Sequence, residues 1–290
     1  MNIPKIQWYP GHIAKAEKKL SEVINRVDLV IEVRDARIPI STGHPHLNQW
    51  IKNKKHILVI NKSDMISPNA RNNWNEWFKK SEVYPLWCDA KRGIGIKDIS
   101  KTTTESRLSI DNKRLSRGMR IRPIRALTLG FPNVGKSALI NRIANKKVVD
   151  SARKAGVTRN LRWIRLDTGI DLLDAPGVIP PNLEDQNSAL NLAICDDIGE
   201  AAYEIESVAL EFIKIISKLN KDKNANISLE RITKRYGVDI TKGFESPSQW
   251  ISDAASKHTS GDRRRMAFKL LEDYRNQMLG KVALEVPIWN

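Results

Sequence analysis

Two kinds of hydrophobic spacing divide the chain. Up to about residue 185, short apolar runs alternate with stretches of helical spacing; beyond it, apolar residues recur three and four positions apart. The runs VDLVIEV (27–33) and HILVI (56–60) are β-branched and bounded by polar or turn residues, which predicts two strands. EVYPLW (82–87) is a third strand candidate, weakened by Pro85. Between the first two strands, His44 to Lys52 fits a short helix, and Ser67-Pro68 is a helix start, a capping serine followed by proline at the first helical position. RALTLG (125–130) resumes a strand, and RWIRL (162–166) with IDLLD (170–174) predicts a hairpin turning at Thr168-Gly169. Strands separated by helices imply parallel pairing in an α/β layer architecture. Residues 101–122 are polar, basic and poor in large apolar groups, so they read as a linker or exposed connection.

From Gln186 the spacing is helical. Ile205, Val208, Ala209, Phe212, Ile216 and Leu219 follow one helix face, and Ala267, Leu270, Leu271, Tyr274 and Met278 make another stripe. Ser246-Pro247-Ser248-Gln249 resembles a capping box with proline inside it. Residues 186–290 therefore read as a helical second domain without internal repeats.

Composition narrows the class. Hydrophobic residues make up 41% of the 290, enough for an ordinary core. No run of about 18 apolar residues offers a membrane span. The opening MNIPKIQWYPGH has neither a signal-peptide apolar stretch nor a transit pattern. Cys88 and Cys195 lie far apart with no ligand-spaced partners, which argues against zinc or a disulfide framework and fits a reducing cytoplasm. Trp74 and Trp77 lie three apart on one helix and are expected to pack rather than stack on bases.

The net charge of +16 is unevenly spread. Residues 1–185 hold 34 Lys/Arg against 18 Asp/Glu, whereas residues 186–290 hold 15 of each. The densest block, Lys113 to Arg125, has six basic residues and no acid. Such a surface attracts polyphosphate, most commonly nucleic acid; the competing reading is a solvated basic face.

Candidate chemistry begins with GFPNVGKS, Gly130 to Ser137, which matches the full phosphate-loop pattern between a predicted strand and a helical stretch, Ser137 to Ala144. Its glycines let backbone amides, including those of Asn133, Val134, Gly135 and Ala138, curl round phosphate at a helix N-terminus. Lys136 would neutralise β- and γ-phosphate oxygens, a catalytic contribution, and Ser137 would ligate Mg²⁺. Asp174-Ala175-Pro176-Gly177 ends the strand IDLL, 37 residues after Ser137, so Asp174 suits the Mg²⁺ shell and the Gly177 amide suits the γ-phosphate. Asn61-Lys62-Ser63-Asp64 also ends a strand. The Asp64 carboxylate can accept from both N1–H and the 2-amino group of guanine, Asn61 can bond the other base edge, and the Lys62 stem can lie along the ring. Ala90 and Lys91, after the next strand, sit where a second base-contacting turn is expected, the alternative being a plain polar loop.

These elements compose a GTP site whose base-reading part precedes its phosphate-holding part. A nucleotide site gathers at the carboxyl ends of parallel strands, where chain order can be cut and rejoined without moving the pieces. The expected fold is α/β: a circularly permuted P-loop GTPase domain over 1–185, a mainly parallel sheet with flanking helices, followed by a small all-helical C-terminal domain over 186–290. The first would comprise a base-reading half (1–100), the basic linker (101–122) and a phosphate and switch half (123–185).

The residues resemble the YlqF/RbgA-type circularly permuted GTPases, ribosome biogenesis GTPase A, which assist assembly of the large ribosomal subunit. The resemblance rests on Trp8-Tyr9-Pro10-Gly11-His12-Ile13-Ala14-Lys15-Ala16, on VDLVIEVRDARIP, NKSD, GFPNVGKS and GVTRN, and on DAPG. Ala155 and Ala175 depart from the family's proline and threonine, and neither change removes a ligand. The resemblance implies Thr158 as the switch threonine for Mg²⁺ and Asn133 as a residue that helps hold an activating K⁺. A loop asparagine tolerating an unusual backbone angle is the alternative at Asn133. Val178 stands where Ras-like enzymes carry the water-orienting glutamine. The family's candidate for that work is His12, whose imidazole can position water near neutral pH; a structural histidine in a Pro-Gly turn is the alternative. Arg153, Lys154, Arg159, Arg162 and Arg165 surround the switch and, with the Lys113–Arg125 block, could form a surface for rRNA.

The expected partners are GTP or GDP, the precursor of the large (50S) subunit and its rRNA. The protein is expected to be cytoplasmic, without membrane contact, and a monomer off the ribosome. A GTP-dependent RNA-binding or chaperone module with negligible turnover, or a permuted GTPase acting on the small subunit or tRNA, are the alternatives.

Overall fold

The computed structural model describes residues 6, 22–51, 54–149, 162–174, 185–222, 225 and 227–289. The chain divides into two compact units, one built from Tyr9–Ser63 and Phe78–Asn182, the other from Met1–Trp8, Asp64–Trp77 and Leu183–Asn290.

The first unit is organised by one six-stranded sheet: β1 (Leu29–Asp35), β2 (Lys55–Asn61), β3 (Leu86–Trp87), β4 (Ile124–Leu129), β5 (Arg162–Leu166) and β6 (Ile170–Asp174). The order is β3-β2-β1-β4-β6-β5. All neighbours are parallel except β5 and β6, which form the expected hairpin. Six of the seven residues of β1 are buried, and so are five of the six in β4, the near-continuous burial of strands covered on both faces. The third strand is shorter than the run EVYPLW suggests, because Pro85 removes a ladder donor and pairing starts only at Leu86.

Helices α1 (Leu47–Ile51), α3 (Ile96–Leu115) and α4 (Lys136–Ile143) lie in this unit, while α2 (Pro68–Lys79) begins in the other. Ser67 caps α2 as expected, its Oγ accepting from the Ala70 amide at 3.1 Å. Leu47 and Ile51 of α1 pack with Ile24, Val27, Val30, Leu127, Leu129 and Leu173 into one apolar cluster.

Helix α3 corrects the expectation of a linker over 101–122, since residues 101–115 are helical. Its inward positions are Ile99, Thr103, Asp111 and Arg114, so an apolar stripe never forms in the sequence. Polar pairing replaces it: Arg114 meets Asp28 at 2.8 Å and Asp111 at 3.3 Å, and Arg107 donates to the Thr168 carbonyl at 2.5 Å.

The second unit holds α5 (Gln186–Ile194), α6 (Ile205–Asn220), α7 (Leu229–Tyr236), α8 (Ile240–Glu245), α9 (Pro247–His258) and α10 (Arg263–Arg275). Val208, Ala209, Phe212, Ile216 and Leu219 of the first predicted stripe are buried. Phe212 meets Tyr274 of the second with ring centroids 4.9 Å apart. Met278 leaves its stripe: α10 ends at Arg275, and Met278 is 47% exposed in the turn that follows. The capping box at Ser246 does not form either. No side-chain bond caps α9 there: the Ser246 amide already donates to the Lys242 carbonyl at 3.1 Å, and Gln249 turns forward to Asp253 at 2.8 Å. Trp74 is buried and meets Trp77 edge to face at 5.4 Å, the packing role expected of this pair. No helix among the described residues is long and apolar enough to cross a membrane.

Candidate functional site

The register of the sheet sets up the site. Asp35 lies opposite Asn61, and Thr128 opposite Asp174, so the carboxyl ends of β1, β2, β4 and β6 finish along one edge. That edge is where open α/β sheets bind ligands. The loop from β4 into α4 opens on it and carries the Gly130–Ser137 segment.

Two glycines make the loop possible. A Cβ on Gly130 would come within 2.3 Å of the Val33 carbonyl oxygen. Gly135 has φ 98°, and a Cβ there would meet the Asn61 amide nitrogen at 2.2 Å. Any larger residue at 135 would therefore separate the phosphate loop from the base-reading strand. Val134 is fully buried, and Lys136 is 6% exposed. The Lys136 ammonium donates to the carbonyls of Gly130 at 3.1 Å and Phe131 at 2.7 Å, which holds it across its own loop. Ser137 and Ala138 occupy the first turn of α4. Asn133 has φ 55°, the left-handed conformation that asparagine tolerates.

Asn61 joins three segments. Its Nδ2 donates to the Val134 carbonyl at 2.8 Å, while its Oδ1 accepts from the Ala90 amide at 2.9 Å and the Cys88 thiol at 3.3 Å. Burial pushes the Cys88 thiol up to about 12, so it stays protonated and able to donate. A primary amide carries two N–H groups, so Asn61 can serve as a structural tie and still donate to a base. The Ala90-Lys91 turn is clamped from α4: Arg142 donates to the Ala90 carbonyl at 3.0 Å and the Lys91 carbonyl at 2.5 Å.

Lys62 has φ 60°, and its ammonium lies 2.6 Å from a carboxylate oxygen of Asp35. Asp35 is fully buried and also receives the Arg37 guanidinium at 2.7 and 3.0 Å. Burial alone would raise its pKa, but Arg37 and Lys62 override that and hold the carboxyl well below the usual range. Asp174 shows the opposite balance. It is 1% exposed, burial raises its pKa, and Lys136 offsets that only in part. Its Oδ1 and the neighbouring Thr128 Oγ1 have no hydrogen-bond partner among the described residues. A buried carboxylate oxygen left unpaired beside a phosphate loop fits a Mg²⁺ shell.

Asp64 falls in the other compact unit, in the single turn Ser63–Met65, where its Oδ2 accepts from Gln277 Nε2 at 2.8 Å. His12, Thr158 and Gly177 lie outside the described residues, as do Arg153, Lys154, Arg159, Ala175 and Val178. Sequence reasoning missed Asp35, Arg142 and Gln277. Asp35 had a signal, an aspartate two residues beyond the apolar run 27–33; Arg142 and Gln277 act through contacts that no spacing announces.

A mostly parallel sheet, a glycine-rich loop running into a helix and an NKSD segment preceding that loop define a circularly permuted P-loop GTPase. Residues 125–233 match the family described as 50S ribosome-binding GTPase. The chain is 31% identical to Ribosome biogenesis GTPase A of Bacillus pumilus (strain SAFR-032), covering 97% of this chain and 99% of that one. It is 32% identical to the protein of the same name from Bacillus cereus, over 97% and 94%. Among solved structures, the fold is similar to that titled GNP-bound YlqF from T. maritima, with TM-score 0.60, 22% identity, and coverage of 94% and 98%. The chain belongs to the ribosome biogenesis GTPase A family and is an enzyme that hydrolyses GTP to GDP and phosphate.

Proposed function

We propose that this GTPase acts in ribosome biogenesis, on late assembly of the large (50S) subunit, binding the particle with GTP and leaving after hydrolysis. The observation that carries the nucleotide site is Asn61, one amide tying the NKSD strand, the phosphate loop and the Ala90 turn together. Support for the ribosomal destination comes from the relatives' names, from the matched family's description and from the +16 charge. Residues 1–185 would form the GTPase domain and 186–290 a helical domain that meets RNA or the particle, with the chain working as a monomer in the cytoplasm.

In the reaction, water attacks the γ-phosphate and GDP leaves. Backbone amides of Asn133 to Ala138 cradle the phosphates, and the Lys136 ammonium neutralises charge that builds on their oxygens. The Gly177 amide donates to the γ-phosphate, and His12 orients the attacking water in place of the missing glutamine. Ser137, Thr158 and Asp174 would hold Mg²⁺, which when bound neutralises phosphate charge; Asn133 would help hold K⁺ as an activator. Asn61, Lys62, Asp64, Ala90 and Lys91 select the guanine base.

Hydrolysis by the purified protein in K⁺ buffer, alone and with 50S or 30S subunits, tests this. Stimulation of at least about tenfold by 50S and little by 30S is expected. Stimulation confined to 30S would move the activity to the small subunit. No stimulation by any particle, with GTP still bound, would leave a GTP-dependent RNA-binding module, the outcome that Val178 would then explain.

A further inference from the structure

The base-reading carboxylate is held by a residue 213 positions away in the chain. Asp64 is half-buried, and its Oδ2 accepts a 2.8 Å hydrogen bond from the Gln277 side chain. Both residues belong to the same compact unit, the one that contains the helices after residue 183. Gln277 is itself presented rigidly. It has φ 61° in the turn that closes α10, its amide donates to the Tyr274 carbonyl at 3.0 Å, and the next amide donates to Asp273 at 2.8 Å. Arg231 of α7 adds a bond to the Met278 carbonyl at 2.9 Å, and Leu279 is buried just beyond. The turn is thus fastened on both sides of the glutamine, which fixes the point from which its side-chain amide reaches Asp64.

We propose that Gln277 is a positioning residue for guanine specificity: it orients the Asp64 carboxylate for the base, so the helical part of the chain tunes nucleotide selectivity. The inference rests on the reading of Asp64 as the guanine acceptor. A carboxylate has about four lone-pair sites, and one donor on Oδ2 leaves enough for N1–H and the 2-amino group of guanine. A neutral amide suits this task. It fixes the carboxylate's rotation without neutralising it, which a lysine or arginine in that place would do. Geometry matters because two parallel N–H···O bonds demand a fixed plane, whereas a single bond tolerates rotation. The 2-amino group therefore loses most when the carboxylate is released.

The test compares GDP with inosine diphosphate, which keeps N1–H and lacks the 2-amino group, by calorimetric titration of the full chain. Gln277→Ala is expected to weaken GDP by about fivefold and inosine diphosphate by less, shrinking the preference, with kcat at saturating GTP unchanged. Gln277→Glu should weaken GDP further, because a second carboxylate then faces Asp64. Gln277→His, which restores an N–H donor, should recover part of the preference. Equal loss for the two nucleotides, or no loss, would overturn the positioning role. If the unaltered protein itself fails to prefer GDP over inosine diphosphate, the assignment of Asp64 as base reader falls first and takes this inference with it.

Discussion

Asn61 illustrates how much one side chain settles at the residue scale. Its amide accepts twice from the Cys88–Ala90 segment and donates to the phosphate loop, so one side chain fixes the relative placement of that loop and the Ala90 turn. Replacing it would confuse binding with folding. Asp64 separates the two better, since its side chain is half-buried and receives one bond from Gln277. Asp64→Asn presents an amide that can donate to the 2-carbonyl of xanthine and no longer accepts both guanine donors. The preference for GTP over xanthosine triphosphate is expected to fall by at least about a hundredfold in competition binding. An unchanged preference would remove Asp64 from base recognition.

Elements carry information that single residues do not. Helix α3 is held by Arg114 and Asp111 where most helices use apolar side chains, so its residues 101–115 look like a linker in the sequence. Helix α4 has two duties, opening from the phosphate loop and gripping the Ala90-Lys91 turn through Arg142. Arg142→Ala is expected to lower stability by about 1 kcal/mol, since two charge-assisted bonds are lost, one part-buried and one exposed. It should also weaken GDP and GTP together, because the Ala90 amide of the released turn is bonded to Asn61. Denaturant unfolding and nucleotide titration of one preparation would check both. Full affinity after a measurable loss of stability would make the clamp purely structural.

At the scale of the whole molecule the dominant feature is charge. The excess lies in residues 1–185, and residues 186–290 are balanced. Association with RNA driven by such charge releases counterions and weakens as salt rises. Affinity for 50S particles is expected to fall at least about tenfold between roughly 50 and 200 mM salt. Arg117 and Arg120, both exposed in the densest block, are suitable probes. Changing both to Gln should reduce the log–log salt slope by about 1.4 to 1.8 if each contacts a phosphate. A slope left as it was would identify the block as a solvated face.

The sequence by itself determined whatever depends on local spacing. The strands at 29–35, 55–61 and 124–129, the hairpin at 162–174, the phosphate loop and the stripes of α6 and α10 all follow from periodicity and backbone chemistry over a few residues. It also determined the permuted order, since that is only the order of motifs along the chain. Tertiary structure decided which polar residues became structural. Arg114 is buried because Asp28 and Asp111 both meet it, Arg142 grips a turn about 50 residues earlier, and Gln277 reaches Asp64 across 213 positions. The physical reason is the same in each case. A polar side chain gives up water at lowest cost where a partner replaces it, and sequence distance says nothing about where that partner will be.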